Sequence, residues 1–127
     1  MHLKGDEAEF HYREAIRIYK YYTAAYINLG THLGQARRPL EAAEVFTKGL
    51  ESYYAVPLYS IDVSVLYRNL GQCYLDSNQI PKALDQYEAC LQAQPTNSFC
   101  LEKVRDIRAH LQLAPVPKTT KKKKSLK

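Results

Sequence analysis

The sequence predicts an all-α fold, a stack of antiparallel helix pairs, and three observations predict it. The stretch Tyr67-Arg68-Asn69-Leu70-Gly71 recurs, slightly altered, as Tyr26-Ile27-Asn28-Leu29-Gly30. Such self-similarity is the mark of a repeat array. Gly30 and Gly71 lie 41 residues apart, and the pairs Ala42/Ala83, Phe46/Tyr87, Gly49/Cys90 and Leu50/Leu91 keep the same separation. Within each unit the apolar and small residues step at helical spacing: Tyr26, Leu29, Gly30 and Leu33, then Ala42, Val45, Phe46, Gly49 and Leu50. That spacing makes each unit two amphipathic helices joined by a short turn.

Taken in order, Ala8, Tyr12, Ala15 and Ile16 match Ala42, Phe46, Gly49 and Leu50 at a separation of 34 residues. Residues 1–22 therefore read as half a repeat, a second helix without its first. Phe10, Ile18 and Tyr19 add an apolar face to that helix, and the helix that should cover part of it is absent, so the expectation is either a truncated protein or self-association there. Residues 23–56 form the first whole unit and 64–97 the second, with about six helices in all. The difference between the two periods falls in an inserted connector at 57–63, which begins at Pro57. Pro39 and Pro81 sit just inside the second helix of each unit, where a missing N–H costs nothing. Asn78 suits the left-handed conformation of the preceding turn, whereas Arg37 stands at the matching place in the first unit and fits it less well. Residues 98–113 read as a closing helix, apolar at Phe99, Leu101, Val104, Ile107 and Leu111 and charged at Glu102, Lys103, Arg105, Asp106 and Arg108. A repeat array needs such an end. Residues 114–127 hold Pro115, Pro117 and six lysines, and read as a disordered tail.

Composition narrows the function classes. The chain has 127 residues, 46% hydrophobic and 24% charged, with a net charge of +5. The six tail lysines carry all of that excess, so the body is close to neutral. No apolar run approaches the ~18 residues of a membrane span, and the start has no apolar stretch of the kind a secretory signal needs. The three cysteines, Cys73, Cys90 and Cys100, show no CxxC and are odd in number, so they are expected to be buried free thiols in a reducing compartment. His2, His11, His32 and His110 are scattered, and His32 is expected to pack near an inter-repeat contact. No phosphate loop, HExxH or GxSxG motif occurs. The expectation is a chain that is not an enzyme and holds neither cofactor nor metal.

The positions Tyr26, Leu29-Gly30, Leu33, Ala42 and Phe46, then Tyr67, Leu70-Gly71, Tyr74, Ala83, Tyr87 and Pro95, resemble the tetratricopeptide repeat, or TPR. Tyr54 stands where that pattern has proline. The resemblance implies a right-handed superhelical solenoid in which Gly30, Ala42, Phe46, Gly71, Ala83 and Tyr87 are structural. It also implies a concave groove that binds extended peptides, lined by Asn28, Thr31 and Gln35, by Arg68, Asn69, Gln72 and Asp76, and by Lys103. Ile27 and Asp106 flank that set. An asparagine amide offers both donor and acceptor, so Asn28 and Asn69 can each satisfy the main chain of a ligand. This pair resembles the asparagine ladder of repeat arrays attached to glycosyltransferases. Ile27 and Thr31 stand where the family's carboxylate clamp has lysine and asparagine, and only Asn69 and Lys103 fit it.

Three functions follow as expectations. The first is a non-catalytic scaffold that binds an extended segment of a partner protein, in the cytoplasm. The second is the C-terminal repeat part of a larger membrane-bound protein O-glycosyltransferase of the O-mannosyltransferase type, with its repeats in the lumen of the endoplasmic reticulum. The third is an adaptor whose basic tail meets nucleic acid or an anionic membrane, or serves as a nuclear address.

Overall fold

A computed structural model describes residues 2–58 and 60–113. It consists of six helices: α1 (His2–Ile18), α2 (Thr23–Gln35), α3 (Pro39–Ala55), α4 (Val63–Asp76), α5 (Ile80–Ala93) and α6 (Ser98–His110). Each helix packs chiefly on its neighbours in sequence, most extensively α4 on α5 and α2 on α3, which makes an all-α helical-repeat solenoid. The lysine-rich stretch 114–127 lies outside the described residues.

The turns explain themselves. α2 and α4 end alike: Arg37 and Asn78 both adopt left-handed backbone, with φ 63 and 61, and the next amides reach back to the last helical turn, Arg38 N–H to the Leu33 carbonyl at 2.9 Å and Gln79 N–H to the Tyr74 carbonyl at 2.7 Å. Both are Schellman motifs, so Arg37 adopts the conformation that suits asparagine. Gln112 closes α6 in the same way, with φ 59. Asp62 caps α4 by accepting from the Ser64 amide, and Asn97 caps α6 by accepting from the Cys100 amide, each satisfying an N–H that the helix cannot. α3 is 17 residues long where α5 is 14, so part of the longer first period is helix and the rest is the connector before α4.

Two buried clusters fill the stack. The first joins α2, α3 and α4 through Leu29, Leu33, Phe46, Leu66 and Leu70, with Tyr12 and Ile16 of α1 against it; the second joins α5 and α6 through Leu84, Tyr87, Val104 and Ile107. Within each pair the helices cross at a glycine. A carbon added to Gly30 would lie 2.5 Å from the Phe46 ring, and one added to Gly71 would lie 2.7 Å from the Tyr87 ring. Ala42 and Ala83 are fully buried in the partner helices. Small polar residues tie the ends of the helices together. Thr23 and Ser52 share a buried hydrogen bond of 2.9 Å, and Ser64 at the place matching Thr23 reaches Gln94 at 3.3 Å.

The cysteines depart from the expectation of free thiols. Cys90 and Cys100 form a disulfide, with Cα atoms 6.5 Å apart, and only Cys73 is free. The reason is the repeat geometry. Gly49 of α3 meets Leu66 of α4 where the two units touch, and in the next unit those two places hold Cys90 and Cys100. The crossing that brings α3 onto α4 thus brings two thiols together between α5 and α6, a pairing with no linear motif. Phe99 is also not on the buried face of α6: it is 39% exposed, while Cys100, Val104 and Ile107 face inward.

α1 docks on the stack by one side. Its Glu9 accepts from Arg13 at 3.0 Å and from Arg38 at 2.9 Å, and Arg38 also pairs with Glu41 at the start of α3. His32 packs edge-on to Tyr12, with ring centres 6.3 Å apart. Phe10, Ile18 and Tyr19 are left exposed.

Candidate functional site

The first helices of the units, α2, α4 and α6, carry the residues to which the resemblance gave the groove. Asn28, Thr31 and Gln35 are exposed on α2; Arg68 and Asn69 are half-buried on α4, with Gln72 and Asp76 exposed; Lys103 is half-buried on α6. The structure gathers all of them but Asn28 into two places rather than one.

Between α2 and α4 a cavity of about 210 Å³ brings together Thr31, Gln35, Asn69, Gln72 and Asp76. Its floor is Gly30, Gly34, Phe46 and Cys73. Gly30 keeps that floor low because it presents no side chain above the Phe46 ring. Gln72 donates to Asp76 at 2.9 Å, which leaves the carboxylate free to accept further bonds. The cavity continues into a second of about 510 Å³ that shares Gly34, Gln35 and Asp76 and adds Arg37 and Pro39. Asn28 lines neither cavity.

Between α4 and α6 the other residues meet around Phe99. The Arg68 guanidinium carbon lies 5.1 Å from the Phe99 ring centre, and Lys103 Nζ lies 5.5 Å from the same centre, both within range of cation–π attraction. Tyr87 packs edge-on to Phe99 with ring centres 6.2 Å apart. Burial pushes the Tyr87 phenol up to about 12, the Asp76 charge adds to this, and Arg68 opposes it. The Tyr87 hydroxyl is buried with no hydrogen-bond partner among the described residues. On the cavity floor, burial pushes the Cys73 thiol up to about 11, so it is an uncharged lining group and not a thiolate nucleophile.

Phe99, Arg37 and Gly34 are the members that the sequence did not point to. Phe99 and Lys103 are four residues apart on one helix, a spacing at which side chains meet, and that was the available signal. Arg37 and Gly34 have no signal outside the cavity they share. Among the described residues no cluster of three or more His, Cys, Asp or Glu side chains is placed to hold a metal ion, and no helix is long and apolar enough to cross a membrane.

Comparison with known proteins bears on the repeat and on the fold. Residues 64–97 match the family described as the tetratricopeptide repeat. No curated protein matches the sequence. Among solved structures, the chain is similar to the first TPR of Spaghetti (RPAP3) bound to the HSP90 peptide SRMEEVD, with TM-score 0.73 and 17% identity over 86% of this chain and 81% of that one. It is also similar to YrrB, described as a TPR protein with an unusual peptide-binding site, with TM-score 0.66 and 21% identity over 80% of this chain and 48% of that one.

Proposed function

We propose that this chain, a tetratricopeptide-repeat protein by the repeat at residues 64–97 and by its fold, is a non-catalytic scaffold that binds an extended segment of a partner protein along α2, α4 and α6. The observation that carries the reading is the cavity between α2 and α4, where Asn69, Gln72, Thr31 and Gln35 present donors and acceptors over a glycine floor. A main chain laid there finds both hydrogen-bonding senses and no bulky side chain in its path. One of the two similar structures is described as bound to a peptide and the other as having an unusual peptide-binding site, which supports the same use here. Asn28 extends the contact along α2. Co-purification with the tagged full chain tests the reading: Asn28→Ala with Asn69→Ala is expected to lose partners that the parent chain retains. A double variant that keeps every partner refutes it.

One observation favours a second reading, in which the array is the peptide-holding part of a larger protein O-glycosyltransferase on the luminal side of the endoplasmic reticulum. The Cys90–Cys100 disulfide belongs with oxidising compartments and is rare in the reducing cytosol. Alkylating cellular thiols before lysis and mapping the peptides tests this. Cys90 and Cys100 recovered linked support an oxidising compartment, and both recovered alkylated remove this reading and leave the cytoplasmic scaffold. The adaptor reading rests on the tail alone, and deletion of residues 115–127 is expected to abolish a steeply salt-dependent binding to nucleic acid or anionic vesicles if that reading holds.

A further inference from the structure

We infer that Arg68 and Lys103, stacked on Phe99, form a site for an internal acidic side chain, Asp or Glu, of the segment bound in the groove; this rests on the peptide-binding reading above. Two cations within 5.1 and 5.5 Å of one ring centre lie no further apart than the sum of those distances. Both cations are half-buried, so water screens a charge brought up to them less than it would on an open surface.

The described carboxylates pair with neither cation. Glu88 accepts from Arg108 at 3.0 Å, Asp76 accepts from Gln72, and Asp62 accepts from Ser64. Asp106 is exposed on α6, one turn from Lys103, and makes no ion pair with it. Neither Arg68 nor Lys103 has an ion pair or hydrogen bond to any described residue. The cations are instead fixed by the aromatic face, which positions them and leaves their N–H groups open. An incoming carboxylate can take a charge-assisted bond from either of them.

The Phe99 ring, 39% exposed, offers the methylene stem of a Glu or Asp an apolar surface beside those charges. Phe99 is itself braced by Tyr87. Arg68 adjoins Asn69 in sequence, so a main chain held by Asn69 brings a neighbouring ligand residue to this corner. Terminal-carboxylate capture is not what the geometry favours: the α2 positions available to complete such a grip are Ile27 and Thr31, which carry no charge.

An affinity selection on the immobilised full chain tests the site. The probe is a fluorescein-labelled random decapeptide library, C-terminally amidated, whose bound fraction is sequenced. Asp and Glu are expected to be enriched at one position by roughly tenfold, the size of one charge-assisted bond. Arg68→Gln with Lys103→Gln is expected to erase that enrichment while still retaining peptide, and Phe99→Ala to weaken it. Circular dichroism of each variant confirms that the helices persist. Peptides retained without acid enrichment overturn this site alone, as does enrichment that survives the double glutamine variant or that needs a free C-terminal carboxylate. A parent chain that retains no peptide, or an Asn28→Ala, Asn69→Ala chain that retains all of them, overturns the groove reading as well.

Discussion

Replacing Gly71 by alanine adds one carbon whose nearest neighbours are three ring carbons of Tyr87 at 2.7 and 2.8 Å, well inside van der Waals contact. Tyr87 is fully buried and braced by Phe99, so the ring has no open side to yield into. Overpacking of this kind costs ~1–3 kcal/mol, while alanine in a helix interior is worth ~1 kcal/mol over glycine. Gly34 is the internal control, because it too lies in a helix but has no atom within 4 Å of an added carbon. Gly34→Ala is therefore expected to stabilise by up to ~1 kcal/mol, and Gly71→Ala to fall below it by about 1–3 kcal/mol, the clash alone. At roughly 4 °C per kcal/mol the melting temperatures separate by several degrees. Urea and thermal unfolding followed by circular dichroism at the helix band measure both. A smaller side chain at Tyr87, as in Gly71→Ala with Tyr87→Leu, is expected to recover part of the difference as a coupling of ~1 kcal/mol. A Gly71→Ala chain as stable as Gly34→Ala refutes the close-crossing explanation.

Reduction of the Cys90–Cys100 disulfide, or Cys90→Ala with Cys100→Ala, is expected to cost about 2.5–3 kcal/mol by restoring freedom to a short loop in the unfolded chain; hydrogen exchange reads it, with α6 losing protection before α2 and α3. Arg37→Gly removes a side chain from left-handed backbone and is expected to stabilise by ~1 kcal/mol, measured by urea titration, whereas loss of stability there refutes the turn geometry. Stability is expected to fall as pH rises from about 9 toward 12, because the thiol of Cys73 and the phenols of Tyr67 and Tyr87 are held above their ordinary values chiefly by burial, so the unfolded chain loses those protons first. On the acid side, Arg38 holds the Glu9 carboxyl below its ordinary 4.5, so the Glu9 contribution is present above that pH and is lost as pH falls through the lowered value; Glu9→Gln is expected to flatten that limb of a pH–stability curve.

The helix pairs were legible because their cause is local. Apolar residues at helical spacing, prolines at helix starts and a glycine at each close crossing are properties of short stretches, and a repeat prints them twice. The candidate groove residues were legible only as positions on the first helices. Which of them meet depends on how far one unit is turned against the next, and that rotation set Thr31, Gln35, Asn69, Gln72 and Asp76 in one cavity while it moved Arg68 and Lys103 to Phe99. Arg37 looked ill-suited to its turn because propensity weighs one residue, whereas the packing of α3 on α2 holds that backbone in place.

By itself the sequence determined the all-α repeat and the helices it is made of, since periodicity and turn chemistry act within a few residues. Only the tertiary structure decided that Cys90 and Cys100 are bonded and that Phe99 is exposed with Arg68 and Lys103 against its ring. Both depend on the packing of α6 on the unit before it, chiefly on α5, where contact is fixed by helix packing across the stack and leaves no spacing in the chain to read.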